Sequence, residues 1–110
     1  MFKVNGRIWI EAVNGSLIGS GRILLLEKIK KTGSISVAAK EMKMSYSQAW
    51  SQIDALNKKA KKPLVIKASG GIGGGGSILT EEGEKVIHSY HELNKVFGEF
   101  IKQQNQKIVI

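Results

Sequence analysis

The stretch SISVAAKEMKMSYSQAWSQIDAL, residues 34–56, decides the fold of this 110-residue chain. Apolar residues recur at helical spacing in its first half and again in its second half, with a three-residue break between them. The first stripe is Ile35, Ala38, Ala39 and Met42, and the second is Ala49, Ile53, Leu56 and Ala60. The pattern predicts a helix-turn-helix over 34–61, a motif that most often places its second helix in the DNA major groove.

The start of that second helix has its own signal. Ser45 is followed three residues later by Gln48, which is the spacing of a capping box. In this arrangement the serine hydroxyl accepts a hydrogen bond from an unpaired backbone N–H of the first turn. We therefore expect the helix to begin at Ser45.

Length and composition predict a single domain spanning 1–110. A chain of this size, with 42% hydrophobic residues, can bury one core. Its apolar runs are too short for a membrane span, and the N-terminus lacks the continuous apolar stretch of a signal peptide. We expect a cytoplasmic protein with no membrane partner.

Few residues of this chain could carry chemistry. It contains no cysteine, and its two histidines, His88 and His91, are too few for a structural zinc site. No serine has a base in a recognisable arrangement, and no carboxylate pair has a placed partner. The sequence therefore predicts no catalytic residue, no metal site, no cofactor and no enzyme activity.

Positive charge is concentrated in the middle of the chain. The net charge is +8. Residues 22–67 hold eleven Lys and Arg against three acidic residues, whereas residues 68–110 hold four lysines against five glutamates. The excess lies on the helix pair and its flanks, which favours a polyanionic partner over a generic solubilising surface.

An N-terminal β-hairpin is predicted over 1–18. Apolar residues alternate along FKVNGRIWIEA, and Asn14-Gly15 is a typical turn that leads back through SLI. Asn5-Gly6 is a competing turn signal. We favour the later turn because it leaves the longer alternating strand.

The rest of the chain alternates between helix and hairpin. Three helices are expected over 20–62, the first ending at Gly33 as a C-cap, before Pro63 stops the third. A β-rich run and the SIL segment then enclose a glycine stretch, which predicts a second hairpin over 64–79. A final helix over 80–104 follows, capped by Thr80.

The glycine stretch matches G-x-G-x-x-G over Gly71–Gly76, but the parallel strand and acidic ribose ligand of a dinucleotide fold are missing. Bare backbone N–H groups at a hairpin tip can instead approach phosphates closely. We expect Gly73, Gly74 and Gly75, together with Lys67 on the preceding strand, to contact DNA as the wing of a winged helix.

The final helix carries an apolar stripe with heptad spacing: Val86, Tyr90, Leu93, Phe97 and Phe100. Two heptads are too short to establish a coiled coil, but the stripe is more apolar than a surface helix needs. We interpret it as a dimer interface. The alternative is that the helix packs on the core of its own subunit.

The N-terminal turns of the second helix in a helix-turn-helix meet the base edges. The residues expected to contact DNA there are Ser45, Tyr46, Ser47, Gln48, Trp50 and Ser51. Gln48 is the best direct reader, because glutamine can bond adenine through two hydrogen bonds. Trp50 could instead pack on the wing or the first helix, and Tyr46 could cover the core. Asp54, further along, is placed to pair with Lys58.

Several motifs together resemble the N-terminal DNA-binding domain of the ModE family of molybdate-dependent transcriptional regulators. They are Gly33-Ser34-Ile35, Ala38-Ala39, Met44-Ser45-Tyr46, Ala49-Trp50, Pro63-Leu64-Val65, Gly70-Gly71, Gly73-Gly74-Gly75-Gly76 and Leu79-Thr80-x-x-Gly83. LysR-type regulators share part of this framework more distantly. The resemblance covers nearly the whole chain.

The residue patterns and the resemblance together predict a fold of the α+β class, mainly α: a winged helix-turn-helix with an N-terminal β-hairpin and a long C-terminal dimerisation helix. The resemblance itself implies a winged helix-turn-helix dimer that binds palindromic DNA, with Tyr46, Ser47, Trp50 and Ser51 at the DNA face and Lys67 as a basic wing residue. Family members carry C-terminal molybdate-binding domains. This chain ends at Ile110, so we expect it to lack them.

We therefore predict a homodimeric, sequence-specific, double-stranded DNA-binding transcriptional regulator that recognises an inverted repeat. Two other interpretations remain open at this point. One is an interaction module that docks an acidic partner protein. The other is a sensor of an oxyanion or another small effector that uses the glycine-rich loop.

Overall fold

The structure of the protein is a computed structural model that describes residues 2–12, 15, 17–68 and 76–109. Its elements in chain order are β1 (Ile10–Glu11), β2 (Leu17–Ile18), α1 (Ser20–Thr32), α2 (Ile35–Glu41), α3 (Tyr46–Lys59), β3 (Val65–Lys67), β4 (Ser77–Leu79) and α4 (Glu81–Lys107). Strands β1 and β2 pair antiparallel, as do β3 and β4. This arrangement confirms the predicted winged helix-turn-helix with an N-terminal hairpin and a long last helix.

Helix α1 lies at the centre of the core. Leu25, Leu26 and Ile29 are completely buried, and α1 contacts α2, α4, β2 and β4. Its C-cap is Gly33, with φ of 68°, and the Gly33 N–H donates to the Ile29 carbonyl at 2.8 Å. Glycine adopts this left-handed conformation without a steric penalty, so the predicted end of the helix is confirmed.

Both helices of the helix-turn-helix bury the predicted stripes, since Ala38, Ala39 and Ala49 are almost inaccessible to solvent. The turn between them is a Schellman motif: Lys43 N–H donates to Lys40 and Met44 N–H to Ala39. Lys43, with φ of 57°, occupies the left-handed position that glycine usually fills. The small alanines allow the close packing that this tight turn requires.

The N-terminal strand is much shorter than predicted. Among the residues that the structure describes, Ile10 and Glu11 are the two that pair with β2, and the preceding residues follow α4 instead. The Asn105 side chain at the end of α4 bonds both the N–H and the carbonyl of Val4, at 2.6 and 3.0 Å. Alternation alone could not reveal this, because the partner of the segment is a helix rather than a strand.

Two helix boundaries also differ from prediction. Helix α3 ends at Lys59, with Ala60 as its C-cap, rather than at 61. Helix α4 continues to Lys107, three residues beyond the expected end at 104. Its predicted cap is confirmed, since Thr80 Oγ1 accepts from the Gly83 N–H at 3.1 Å. Of the Asn14-Gly15 turn, Asn14 lies outside the described residues, and Gly15 has φ of 96°.

The first turn of α4 lies directly against the start of the wing. A β-carbon added to Gly83 would come within 2.5 Å of the Leu64 carbonyl oxygen and would also overlap the Leu79 side chain. At Gly98, on the same helix, such a β-carbon would have no atom within 4 Å apart from the neighbouring backbone of the helix itself. The chain therefore needs a glycine at 83 for close approach, while Gly98 has no such constraint.

We expect Gly83→Ala to lower the free energy of unfolding by about 1–3 kcal/mol, because the added methyl group overpacks a backbone contact. Gly98→Ala is the matched control and is expected to stabilise the protein by about 0.5–1 kcal/mol through helix propensity. Urea unfolding of both variants measures the difference. Equal effects of the two substitutions would contradict this packing.

Candidate nucleic-acid interface

Helix α3 presents a polar surface on the side opposite its buried residues. Its N-terminal turns carry the six residues predicted to contact DNA, and all of them are exposed: Ser45, Tyr46, Ser47, Gln48, Trp50 and Ser51. Ala49, Ile53 and Leu56 fix this orientation because they are buried against the core. The helix therefore offers short hydrogen-bonding side chains and two aromatic rings to a partner.

Ser45 caps α3 as expected, since its Oγ accepts from the Gln48 N–H at 3.1 Å. The Ser47 hydroxyl lies 3.4 Å from the same oxygen. The cap orders the first turn, from which the exposed Gln48 side chain extends. This is the part of a recognition helix that approaches base edges.

The two aromatic residues have different surroundings. Trp50 is 38% exposed and lines a groove between α3 and the wing, together with Ile53, Val65, Ile66 and Lys67. This position supports the expectation that Trp50 packs towards the wing, which was the alternative to a direct DNA contact. Tyr46 leaves about half of its surface (51%) open to solvent, so it does not serve as a cover for the core.

The wing is a short antiparallel ladder. Val65 pairs with Leu79, Ile66 with Ile78 and Lys67 with Ser77, and the Ala68 N–H extends the ladder to the Gly76 carbonyl at 2.8 Å. The Lys67 side chain is exposed at the distal end of β3. Gly73, Gly74 and Gly75, the predicted tip contacts, lie outside the described residues.

Ion pairing leaves the basic surface largely uncompensated. Lys28 pairs with Glu41, Lys30 with Glu84 and Lys58 with Asp54, the last at 2.8 Å as predicted. Within the described parts of the chain, the other basic residues of 22–67 have no ion pair: Arg22, Lys31, Lys40, Lys43, Lys59, Lys61, Lys62 and Lys67. The lysines before α3, after it and on β3 leave positive charge around the helix.

Asn57 is a structural residue that the sequence analysis did not single out. It lies near the end of α3, and its side chain bonds the backbone of Leu64 and Val65 at the start of the wing. An asparagine close to a helix end has many possible roles. The sequence held no signal for this one, because the bonds join α3 to a segment whose path depends on the tertiary fold.

The predicted dimer stripe separates into two parts. Tyr90 is only 5% exposed and Val86 is partly buried, and both pack in the core of their own subunit. The assignment of Tyr90 to a dimer interface is therefore corrected, because its own subunit already covers its side chain, whereas the assignment of Val86 stays a prediction. Leu93 and Phe100 are each 52% exposed, whereas Phe97 lies against Gly6 of the N-terminal segment.

Other kinds of site find little support. Among the residues that the structure describes, no group of three or more His, Cys, Asp or Glu side chains could hold a metal ion. His91 instead lies 3.2 Å from Glu27. None of the helices in the described part of the chain is long and apolar enough to cross a membrane.

A capped, exposed second helix, a β-hairpin wing and lysines that have no ion pair in the described part of the chain are together typical of winged helix-turn-helix DNA-binding domains. Residues 21–84 match the family model of bacterial regulatory helix-turn-helix proteins of the lysR family. The chain belongs to this family and carries its regulatory helix-turn-helix DNA-binding domain.

Individual relatives agree with this assignment. The chain is 41% identical over 95 residues to the molybdenum-pterin-binding protein MopB of Rhodobacter capsulatus, covering 83% of this chain and 35% of that protein. It is 34% identical over 102 residues to the molybdenum transport protein ModE of Azotobacter vinelandii, covering 93% and 38%. It is 48% identical over 72 residues to the transcriptional regulator ModE of Yersinia pestis, covering 66% and 27%. The chain thus spans little more than a third of the length of these relatives, at most.

Asp54 is the acidic residue that faces the groove beside Trp50, and its side chain is 31% exposed. We expect Asp54→Asn to tighten binding to any DNA duplex by on the order of 1 kcal/mol, since it removes a negative charge and frees Lys58. Folding stability should change by less than about 0.5 kcal/mol, because the lost ion pair is exposed.

Filter binding at low salt with duplexes of unrelated sequence measures this gain. Glu99→Gln is the matched control, because it makes the same change of charge on the C-terminal half of α4. An equal gain from both substitutions would indicate an effect of net charge alone and would remove Asp54 from the DNA-facing surface.

Proposed function

We propose that this chain binds an inverted DNA repeat as a homodimer and discriminates base sequence through the first turns of α3. The observation that carries the proposal is the exposed, capped N-terminal end of α3, surrounded by lysines that have no ion pair among the described residues. Gln48 and the serines supply hydrogen bonds to base edges, and the wing contacts the adjacent backbone through Lys67. The names of the relatives support a role in molybdenum-responsive regulation.

The dimer is supported by an exposed apolar surface, which we call the α4 patch: Ile8, Trp9, Ile10, Leu93, Val96, Phe97 and Phe100. Trp9, Leu93, Val96 and Phe100 are each more than half exposed. Large exposed apolar patches mark interaction sites, because burying them removes apolar area from water. A second copy that covers this patch would place two α3 helices on one DNA duplex, with half-sites about 10 base pairs apart or a multiple of that spacing.

A partner of a different class, an acidic protein, could also be attracted by the lysines. The exposed Gln48 and the serines on α3 favour DNA, because base edges offer the matched donors and acceptors that they need. Competition by a selected duplex against random duplexes separates the two, since an acidic protein partner would show no preference between them.

Gln48 and Lys67 are expected to differ in what they contribute. Gln48→Ala should cost about 1–3 kcal/mol on the preferred sequence and relax one base position in each half-site. Lys67→Ala should weaken every sequence alike and reduce the slope of log affinity against log salt by roughly two in a dimer, from a slope of roughly −7 if each subunit neutralises about 4 phosphates.

Fluorescence anisotropy on a preferred duplex and on duplexes with single base-pair changes, at several salt concentrations, measures both effects. Equal losses on all sequences from Gln48→Ala would remove it as a base reader. A wild-type slope near zero would contradict DNA binding itself.

Phe100→Glu should convert the dimer into monomers, because it places a charge in the α4 patch, and it should weaken binding to an inverted repeat while leaving the fold intact. Lys95→Glu places the same side chain on the same helix outside the patch and should remain dimeric. Sedimentation equilibrium and circular dichroism of both variants test this. A dimeric Phe100→Glu variant would contradict the α4 patch as the interface.

A further inference from the structure

In the described part of the chain, the hydrogen bonds between the recognition helix and the base of the wing come from one side chain, Asn57. Asn57 Oδ1 accepts hydrogen bonds from the N–H groups of Leu64 and Val65 at 2.8 and 3.3 Å, and Asn57 Nδ2 donates to the Val65 carbonyl at 2.9 Å. Three main-chain groups that would otherwise need other partners are thus satisfied by a single amide. Because both Oδ1 and Nδ2 form hydrogen bonds, the orientation of the Asn57 amide is fixed.

The same main chain is held from the opposite direction by α4. The Leu64 carbonyl accepts from the Thr80 N–H at 2.9 Å and lies 3.0 Å from the Thr80 hydroxyl, which also donates to the Pro63 carbonyl at 2.7 Å. Leu64 itself is buried. The start of β3 is therefore fixed between α3 and the first turn of α4.

These attachments determine where Lys67 lies. Lys67 is two residues beyond Val65 on a strand that rises about 3.3 Å per residue, so a small rotation at the base moves its ammonium group relative to α3. Strand β4 is attached elsewhere, because the Ser77 N–H donates to the Gly33 carbonyl at 2.8 Å. Among the described residues, Asn57 supplies the side-chain hydrogen bonds that join α3 to the wing backbone.

We propose that Asn57 is a positioning residue that sets the wing relative to the recognition helix, so that Lys67 and the reading residues of α3 contact one duplex together. The proposal rests on the proposed DNA-binding function and extends it, since Asn57 makes its contribution without touching DNA. Without the Asn57 amide, Lys67 on the wing and the reading residues of α3 would no longer be held in positions that fit one duplex.

A double-mutant cycle between Asn57 and Lys67 tests this role. In the wild-type background, Lys67→Ala reduces the slope of log affinity against log salt by roughly two per dimer. In the Asn57→Ala background, Lys67→Ala is expected to change the slope by less than half of that amount, because Thr80 and Gly33 still hold the wing but α3 no longer fixes its direction. The effect of Gln48→Ala on base preference should persist in both backgrounds.

Asn105→Ala is the matched control, because Asn105 makes the same kind of paired side-chain bonds to the backbone of Val4 at the far end of α4. In that background the full slope change from Lys67→Ala should remain, with measurements made at protein concentrations where both variants are dimeric. A purely structural role for Asn57 would leave the slope change intact in its background too, and that result would overturn the proposal.

If the Asn57→Ala variant does not fold, Asn57→Asp replaces it in the double-mutant cycle. The carboxylate keeps an acceptor for the two N–H groups but places an oxygen against the Val65 carbonyl, so the slope change from Lys67→Ala should fall to an intermediate value. An unreduced slope change in this variant overturns the positioning role. A wild-type protein that prefers no sequence and shows no salt dependence defeats the proposed function instead.

Discussion

The backbone at Leu64 is the point on which the arrangement of the molecule depends. Asn57 holds its N–H, Thr80 binds its carbonyl, and the absence of a side chain at Gly83 allows α4 to approach it closely. One short segment thereby fixes the directions of α3, the wing and α4. This junction joins α3, the wing and α4 directly, in addition to the packing of α2, β4 and α4 against α1.

Charge and shape act on the same surface. Three lysines of the basic segment are compensated by ion pairs, and the three acidic residues of that segment all have partners among the described residues. The lysines that have no ion pair among the described residues leave positive charge around α3, the capped helix that carries Gln48 and Trp50. Under the proposed function, this charge attracts any duplex, and the side chains at the start of α3 distinguish one base sequence from another.

The sequence predicted the helical part of this structure because local signals and the core agreed there. The alanine stripes, Ser45, Gly33 and Thr80 each act within one turn of helix, and each lies where its pattern indicated. Contacts between residues far apart in the sequence were harder to predict. The N-terminal segment alternates like a strand but follows α4, and Tyr90 belongs to a heptad pattern yet fills the core of its own subunit. The role of Asn57 depends on a tertiary contact and left no local pattern.

Repeated selection of binding sites from a randomised duplex library, at about 150 mM salt, tests the central claim most directly, because non-specific attraction to phosphates is already weakened there. The account predicts enrichment of one inverted repeat whose half-sites are centred about 10 base pairs apart or a multiple of that spacing. Failure of the folded, dimeric protein to enrich any motif would contradict it.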